Sequence, residues 1–216
     1  RVIETDLISR VSYDGYRDKV QQGYGGPEGA LLTVASMVSL HIPLGDEDAW
    51  PYRVAYDSMI RAHALGRFDD MLVAATTHSS MGLYLDNASS TGDAPNENLG
   101  RELLELHTVG VDAGYTQEHV FDAARCFTGW TIDLRQGVFV YRPQNHDTGA
   151  KSVFGLNVPA GGGREDGDKL LDYLAEHPST ARFVSRKLLQ RFVADDPPAR
   201  LLDRAAATFE STGGDI

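Results

Sequence analysis

The chain has 216 residues, 42% of them apolar, and a formal net charge of −11, enough for one sizeable core or two small ones. That acidity argues against a nucleic-acid phosphate surface, which needs a basic stripe, and no apolar run approaches the roughly 20 residues of a membrane helix. The single cysteine, Cys126, cannot form an internal disulfide; among Phe121, Ala124 and Phe127 it reads as a small buried thiol and leaves the compartment open.

Residues 1–49 read as a partly irregular N-terminal lead-in. Val2, Ile3, Leu7, Ile8 and Val11 trace a short helical pattern, 23–29 (GYGGPEG) is a turn or linker, and 30–40 suits a buried helix broken by Pro43 and Gly45. Residues 50–216 read as a helical domain. The pattern predicts a helix over 52–65 with Val54, Met59 and Ile60 inward, ended by Gly66, and another over 69–77. Ser79 and Ser80 can cap a brief turn carrying Met81, Leu83 and Leu85. Residues 86–95 (DNASSTGDAP) form a loop rich in turn formers.

The stretch 96–130 organises what surrounds it. It predicts two helices joined by a Gly-rich turn, the first opened by Pro95 or Asn96 and packed through Leu99, Leu103 and Leu106. Glu97, Asn98, Arg101, Glu102 and Glu105 fall on its other side. Glu97–Arg101 and Arg101–Glu105 are i,i+4 pairs, so one guanidinium can sit between two carboxylates. Thr116 caps the second helix, which runs to Gly129. Strands over 138–142 and 152–158 then read as one hairpin closed through 143–151 (PQNHDTGAK), and 159–168 as a flexible link. Three more helices follow at 169–176, 180–193 (capped by Ser179) and 201–209. The fold class is mainly α, an irregular helical bundle with one small β-hairpin.

Three constellations can carry chemistry. On the acidic face, Glu102 and Glu105 can separate their pKa values beside Arg101, one as acid and one as base, with His107 as proton shuttle; the structural alternative is a charge network with His107 on the helix C-terminus. Asn96, Glu97 and Asn98 extend that face as binding candidates. In the NHDTG segment, His146 and Asp147 can bind a ligand, with Lys151 and Arg142 holding the loop or an anion, although the same residues satisfy a turn. The dispersed histidines His41, His63, His78, His107 and His146 lack zinc-helix spacing, and Asp86, Asn87, Ser89 and Asp93 supply oxygens without the EF-hand spacing. No cofactor is expected beyond a weakly signalled divalent cation. Phosphate-loop, dinucleotide and nucleophile-elbow motifs are absent.

The blocks RAHALGRFDDMLVAATTHSSMGLYLDNASST, NENLGRELLELHTVGVDAGYT, DAARCFTGW, HDTGAK and HPSTARFVSRKLLQRFVADDPP occur here in order. Together they resemble the bacterial family catalogued as domain of unknown function eighteen hundred, from about Trp50 to Ile216. The resemblance implies a helical fold, an exported protein and a secreted sulfatase-like partner, but no reaction. Members carry a W-x-N-H block before residue 45, of which His41 alone stands here, and they extend further at the N-terminus. Accordingly Arg1 and the closing STGGDI read as cuts, with any export signal outside them.

Two functions follow as expectations. One is an exported binding or assembly module whose buried Arg/Glu network fixes helix register. The other is a hydrolase or lyase on an extracellular polymer, with Glu102 or Glu105 as general acid/base, Arg101 orienting it, and His107 or His146 assisting.

Overall fold

A computed structural model describes residues 50–216. The features expected within 1–49, the 30–40 helix and His41 among them, lie outside the described residues, as does the side chain of Val54. Eight α-helices are described: α1 (Trp50–His63), α2 (Phe68–Thr76), α3 (Ser79–Tyr84), α4 (Asn98–Glu102), α5 (Gln117–Cys126), α6 (Glu165–Ala175), α7 (Pro178–Phe192) and α8 (Ala199–Ser211). The fold is mainly α, as the periodicity predicts.

The core is continuous. Met71 of α2, Leu99 and Leu103 of the α4 region, Phe127 and Trp130 after α5, and Leu170, Leu171 and Leu174 of α6 are almost completely buried in it. The Leu170–Leu174 spacing puts one face of α6 against α2. Acidic residues Glu165, Asp166 and Asp168 in its first turn suit the positive end of the helix dipole, and α6 therefore starts earlier than the apolar pattern suggests. Helices α7 and α8 pack on each other, joined through 193–198, and α8 closes the domain with Phe209 edge-on to Phe68 at 5.8 Å.

Helix α4 does not continue as an α-helix to His107. Leu103–His107 winds as a π-turn, in which the wider i→i+5 repeat rotates the following side chains. Leu104 is thereby buried, and Leu106, expected in the core, is 49% exposed. Gly100 lets α4 touch α5: a Cβ there would lie 2.8 Å from Ala124 N and 3.0 Å from Val120 O.

The β-structure is two hairpins, which corrects the single hairpin expected from the sequence. Strand β1 (Trp130–Asp133) pairs antiparallel with β2 (Val138–Tyr141), Trp130 opposite Tyr141 and Asp133 opposite Val138. Strand β3 (Lys151–Val153) pairs with β4 (Leu156–Val158), Lys151 opposite Val158. Each closes locally. Asp133 Oδ1 accepts from Arg135 N at 2.9 Å in the first turn, and Phe154 (φ 46) with Gly155 (φ 100) makes the second, the positive-φ pair that a two-residue hairpin needs. Local closure leaves 142–150 free for a different task.

Candidate functional site

That task is a buried ionic centre. Helix α5 ends at Cys126, and Thr128 Oγ1 donates to Arg125 O at 2.7 Å while accepting from Asp147 N at 2.9 Å. This fixes the 142–150 segment across the end of α5. His146 follows a 3₁₀ turn (Pro143–Asn145), Lys151 opens β3, and Asp166 sits in the first turn of α6. Three elements thus deliver an imidazole, an ammonium and a carboxylate to a single point.

The contacts there are short and fully specified. His146 Nδ1 donates to Thr128 O at 2.8 Å, and because a carbonyl only accepts, that ring position carries the proton. His146 Nε2 lies 3.2 Å from Asp166 Oδ2. Lys151 Nζ donates to Asp166 Oδ2 at 2.8 Å, Asp147 O at 2.6 Å and Gly149 O at 3.0 Å, which uses all three ammonium protons. The His146 and Lys151 side chains are 0% exposed and that of Asp166 1%. Asp166 Oδ1 has no hydrogen-bond partner and lies under Gly162, where a Cβ would fall 1.9 Å from it.

A second charged layer covers the first. Arg125 grips Asp147 with two bonds, Nε to Oδ2 at 2.7 Å and Nη2 to Oδ1 at 3.0 Å, and reaches Asp122 Oδ1 at 2.7 Å and Ala150 O at 3.0 Å through Nη1. The Arg125 hydrogen bonds hold the Asp147 carboxyl below the usual carboxylate range, and Asp147 in turn raises Arg125. The Cys126 thiol beside this layer is pushed up to about 12 by burial, so it is inert as a nucleophile. Of the segment singled out in the sequence, His146, Asp147 and Lys151 are brought together. Arg125, Thr128 and Asp166 were missed; the first two stand in the DAARCFTGW block, and Asp166 stands in a stretch that read as a flexible link.

The acidic face of α4 lies elsewhere, at the surface. Arg101 Nη2 donates to Glu97 Oε2 at 2.9 Å and to Gln117 Oε1 at 2.8 Å, and Nη1 reaches Glu105 Oε1 at 3.5 Å. Gln117 Nε2 returns a bond to Glu97 Oε2 at 2.6 Å. The side chains of Arg101, Glu97 and Glu105 are 37%, 34% and 27% exposed. The expected buried Arg/Glu network is therefore a solvent-edged clasp between α4 and α5, because only the leucine face of α4 turns inward. Asn96 Oδ1 accepts from Asn98 N at 2.9 Å, a local turn bond, and the Asn98 side chain is exposed.

Beside the clasp, burial first and the Glu105 charge second raise the Glu102 carboxyl above its usual range. The Tyr115 hydroxyl is pushed up to about 12 by burial and by Glu105. His107 takes no part in this group. It is buried against α7, its Nδ1 has no partner, and burial, then the Lys187 charge, depress it to about 3. A ring that stays neutral through the physiological range and faces the interior does not fit the shuttle role expected of it. Nor does His146 approach Glu102 and Glu105, since Thr128 and Asp166 consume both its nitrogens.

Among the described residues no group of three or more His, Cys, Asp or Glu side chains is placed to hold a metal ion. Asn87, one of the oxygen-bearing candidates, is buried with its Nδ2 donating to Trp130 O at 3.0 Å and Phe127 O at 3.3 Å, which staples the 86–95 loop to the start of β1. No helix among the described residues is long and apolar enough to cross a membrane.

Among the described residues, open space is found at the first hairpin. A groove of about 820 Å³ runs between β1–β2 and the end of α3. Leu83, Ile132, Leu134 and Val140 line it with apolar surface, and Asp86, Asp133, Arg135 and Arg142 with charge. Leu134 is strongly exposed.

No curated protein and no solved structure matches the chain. One family model does, over residues 35–216, described as Protein of unknown function (DUF1800), and the chain belongs to that family.

Proposed function

Starting from membership of a family without an assigned reaction, we propose that this chain is a helical binding or assembly module whose ionic centre ties the fold together. The observation that carries the reading is the closure of that centre: His146, Lys151 and Asp166 are sealed from solvent, with the lysine's three protons committed. A general acid or base must come within hydrogen-bond reach of its substrate, and these groups face only protein. The clasp of Arg101 on Glu97 and Gln117 fits the same reading, since it sets α4 against α5. The β1–β2 groove, lined by both apolar and charged side chains, is the binding surface. In this reading the module acts outside the cell beside a secreted sulfatase-like protein, as the family resemblance implies.

The test is calorimetric titration of the purified chain with a secreted sulfatase-like protein of the kind the family resemblance implies. Leu134→Asp and Val140→Asp are expected to weaken association at least tenfold, and the Glu102→Gln/Glu105→Gln pair to leave it unchanged. Association insensitive to the groove variants overturns the assignment of the surface.

One observation favours the hydrolase reading: burial raises the Glu102 carboxyl above its usual range beside a second carboxylate, Glu105. Product release from an extracellular polysaccharide that is lost in Glu102→Gln, with the melting temperature unmoved, replaces the module by that enzyme.

A further inference from the structure

Three helices in the described fold have an imidazole in their N-terminal cap that accepts a backbone N–H. His78 precedes α3 and His177 precedes α7; their Nδ1 atoms accept from Ser80 N at 3.2 Å and Ser179 N at 3.1 Å. At α5 the exchange is reciprocal: Thr116 Oγ1 accepts from His119 N at 3.3 Å, and His119 Nδ1 accepts from Thr116 N at 3.1 Å. Hydroxyls and carboxamides usually fill such positions, with Glu or Gln as the reciprocal partner. An imidazole does so only as the neutral ring with its proton on Nε2. Adding a proton turns Nδ1 into a donor aimed at an N–H and places a positive ring at the positive end of the helix.

Two of the three imidazoles share a target. The Phe154 ring, at the tip of the β3–β4 hairpin, lies 4.9 Å from that of His177 and 6.2 Å from that of His119. Phe154 holds a left-handed backbone (φ 46), and its carbonyl accepts from Tyr173 Oη at 3.0 Å. Tyr173 of α6 also packs edge-on to His177 at 5.6 Å, and Tyr115 packs on Phe154 at 6.3 Å. The N-termini of α5 and α7 thus meet at one side chain of the hairpin that carries Lys151. Tyr173 and Tyr115 are the titratable groups in this ring cluster. Glu118 and Glu176 are chain neighbours with exposed side chains, and no salt bridge among the described residues reaches His119 or His177.

We propose that His119 and His177 form an acid-sensitive latch: protonation uncaps α5 and α7 together and frees the β3–β4 tip held between them. Burial depresses His177 from its ordinary value, so the latch stays closed at neutral pH and opens in acid. His78, also depressed by burial, packs on Tyr56 of α1, away from Phe154, and stands outside the latch.

The experiment is hydrogen exchange between pH 7.5 and pH 5.0, corrected for intrinsic rates, on the wild type and on His119→Gln/His177→Asn. Those amides accept the same N–H groups and do not titrate. In the wild type, protection over 117–120, 152–157 and 179–181 is expected to fall about five-fold, the loss of one N-cap, with α8 unchanged; in the variant it should hold. Equal pH dependence in both proteins, or a fall that includes α8, overturns the latch. If the variant does not fold, imidazole NMR of the wild type decides: the Phe154 ring must shift as His177 takes up its proton, and a Phe154 ring indifferent to that step refutes the latch.

Discussion

Lowering the pH should destabilise this protein through His107 before most carboxylates titrate. Its ring is buried, with Nδ1 unpartnered, and its pKa is depressed from 6.5 to about 3. The unfolded chain binds a proton at that residue near the ordinary histidine value, whereas the folded chain refuses it until far lower pH. Between those two values the unfolded state holds more protons, so stability falls as pH falls, by up to about 1.4 kcal/mol per unit. At pH 5.0 the loss is about 2 kcal/mol relative to neutral pH, a large share of a domain stability of about 5–15 kcal/mol. Urea unfolding of wild type and His107→Leu at pH 7.5 and 5.0 measures it. The wild type should lose about 2 kcal/mol more than the variant across that interval. Equal losses in the two proteins would refute a neutral, buried His107, and a larger loss in the variant would mean that the ring is charged and paired in the fold.

Removing one member of the buried ion cluster should cost far more than removing a surface one. Lys151→Met leaves Asp166 buried beside His146 alone and is expected to destabilise by about 3–5 kcal/mol in denaturant unfolding, much of which Lys151→Met/Asp166→Leu should recover. Gly100→Ala forces a Cβ to within 2.8 Å of Ala124 N and should lower stability by about 1–3 kcal/mol, read as a drop in melting temperature. The Cys126 thiol, held near 12 and buried, should react with a thiol reagent only at the rate of global unfolding; fast labelling of the native protein would contradict its placement.

Much of the helical framework is written in local periodicity. The helix predicted over 180–193 is found at Pro178–Phe192, and that over 69–77 at Phe68–Thr76, because apolar spacing reports the buried face directly. The start of α7 was misjudged for a local reason. Ser179 looks like the cap, yet Pro178 fills the first turn and His177, one residue earlier, does the capping. Leu106 was misplaced because no pattern announces a π-turn. The two hairpins were merged because Gly155, a turn glycine, sits inside the stretch read as one strand over 152–158, while Gly137 falls just before the strand read over 138–142.

The candidate site divides along the same line. His146, Asp147 and Lys151 could be picked out because unlike polar residues crowd a short segment, and Arg101 with its carboxylates because i,i+4 spacing is a fixed distance on a helix. Which of the two sets would be buried depends on elements far apart in the chain. Asp166 reaches Lys151 only because α6 packs over the end of α5, and Gln117 meets Arg101 only because Gly100 lets α4 and α5 touch. Composition and spacing therefore settled the class of fold and the chemistry available to it. The burial of each charge, and with it the division between structural tie and accessible surface, was decided by tertiary packing, since desolvation is a property of the neighbours and not of the residue.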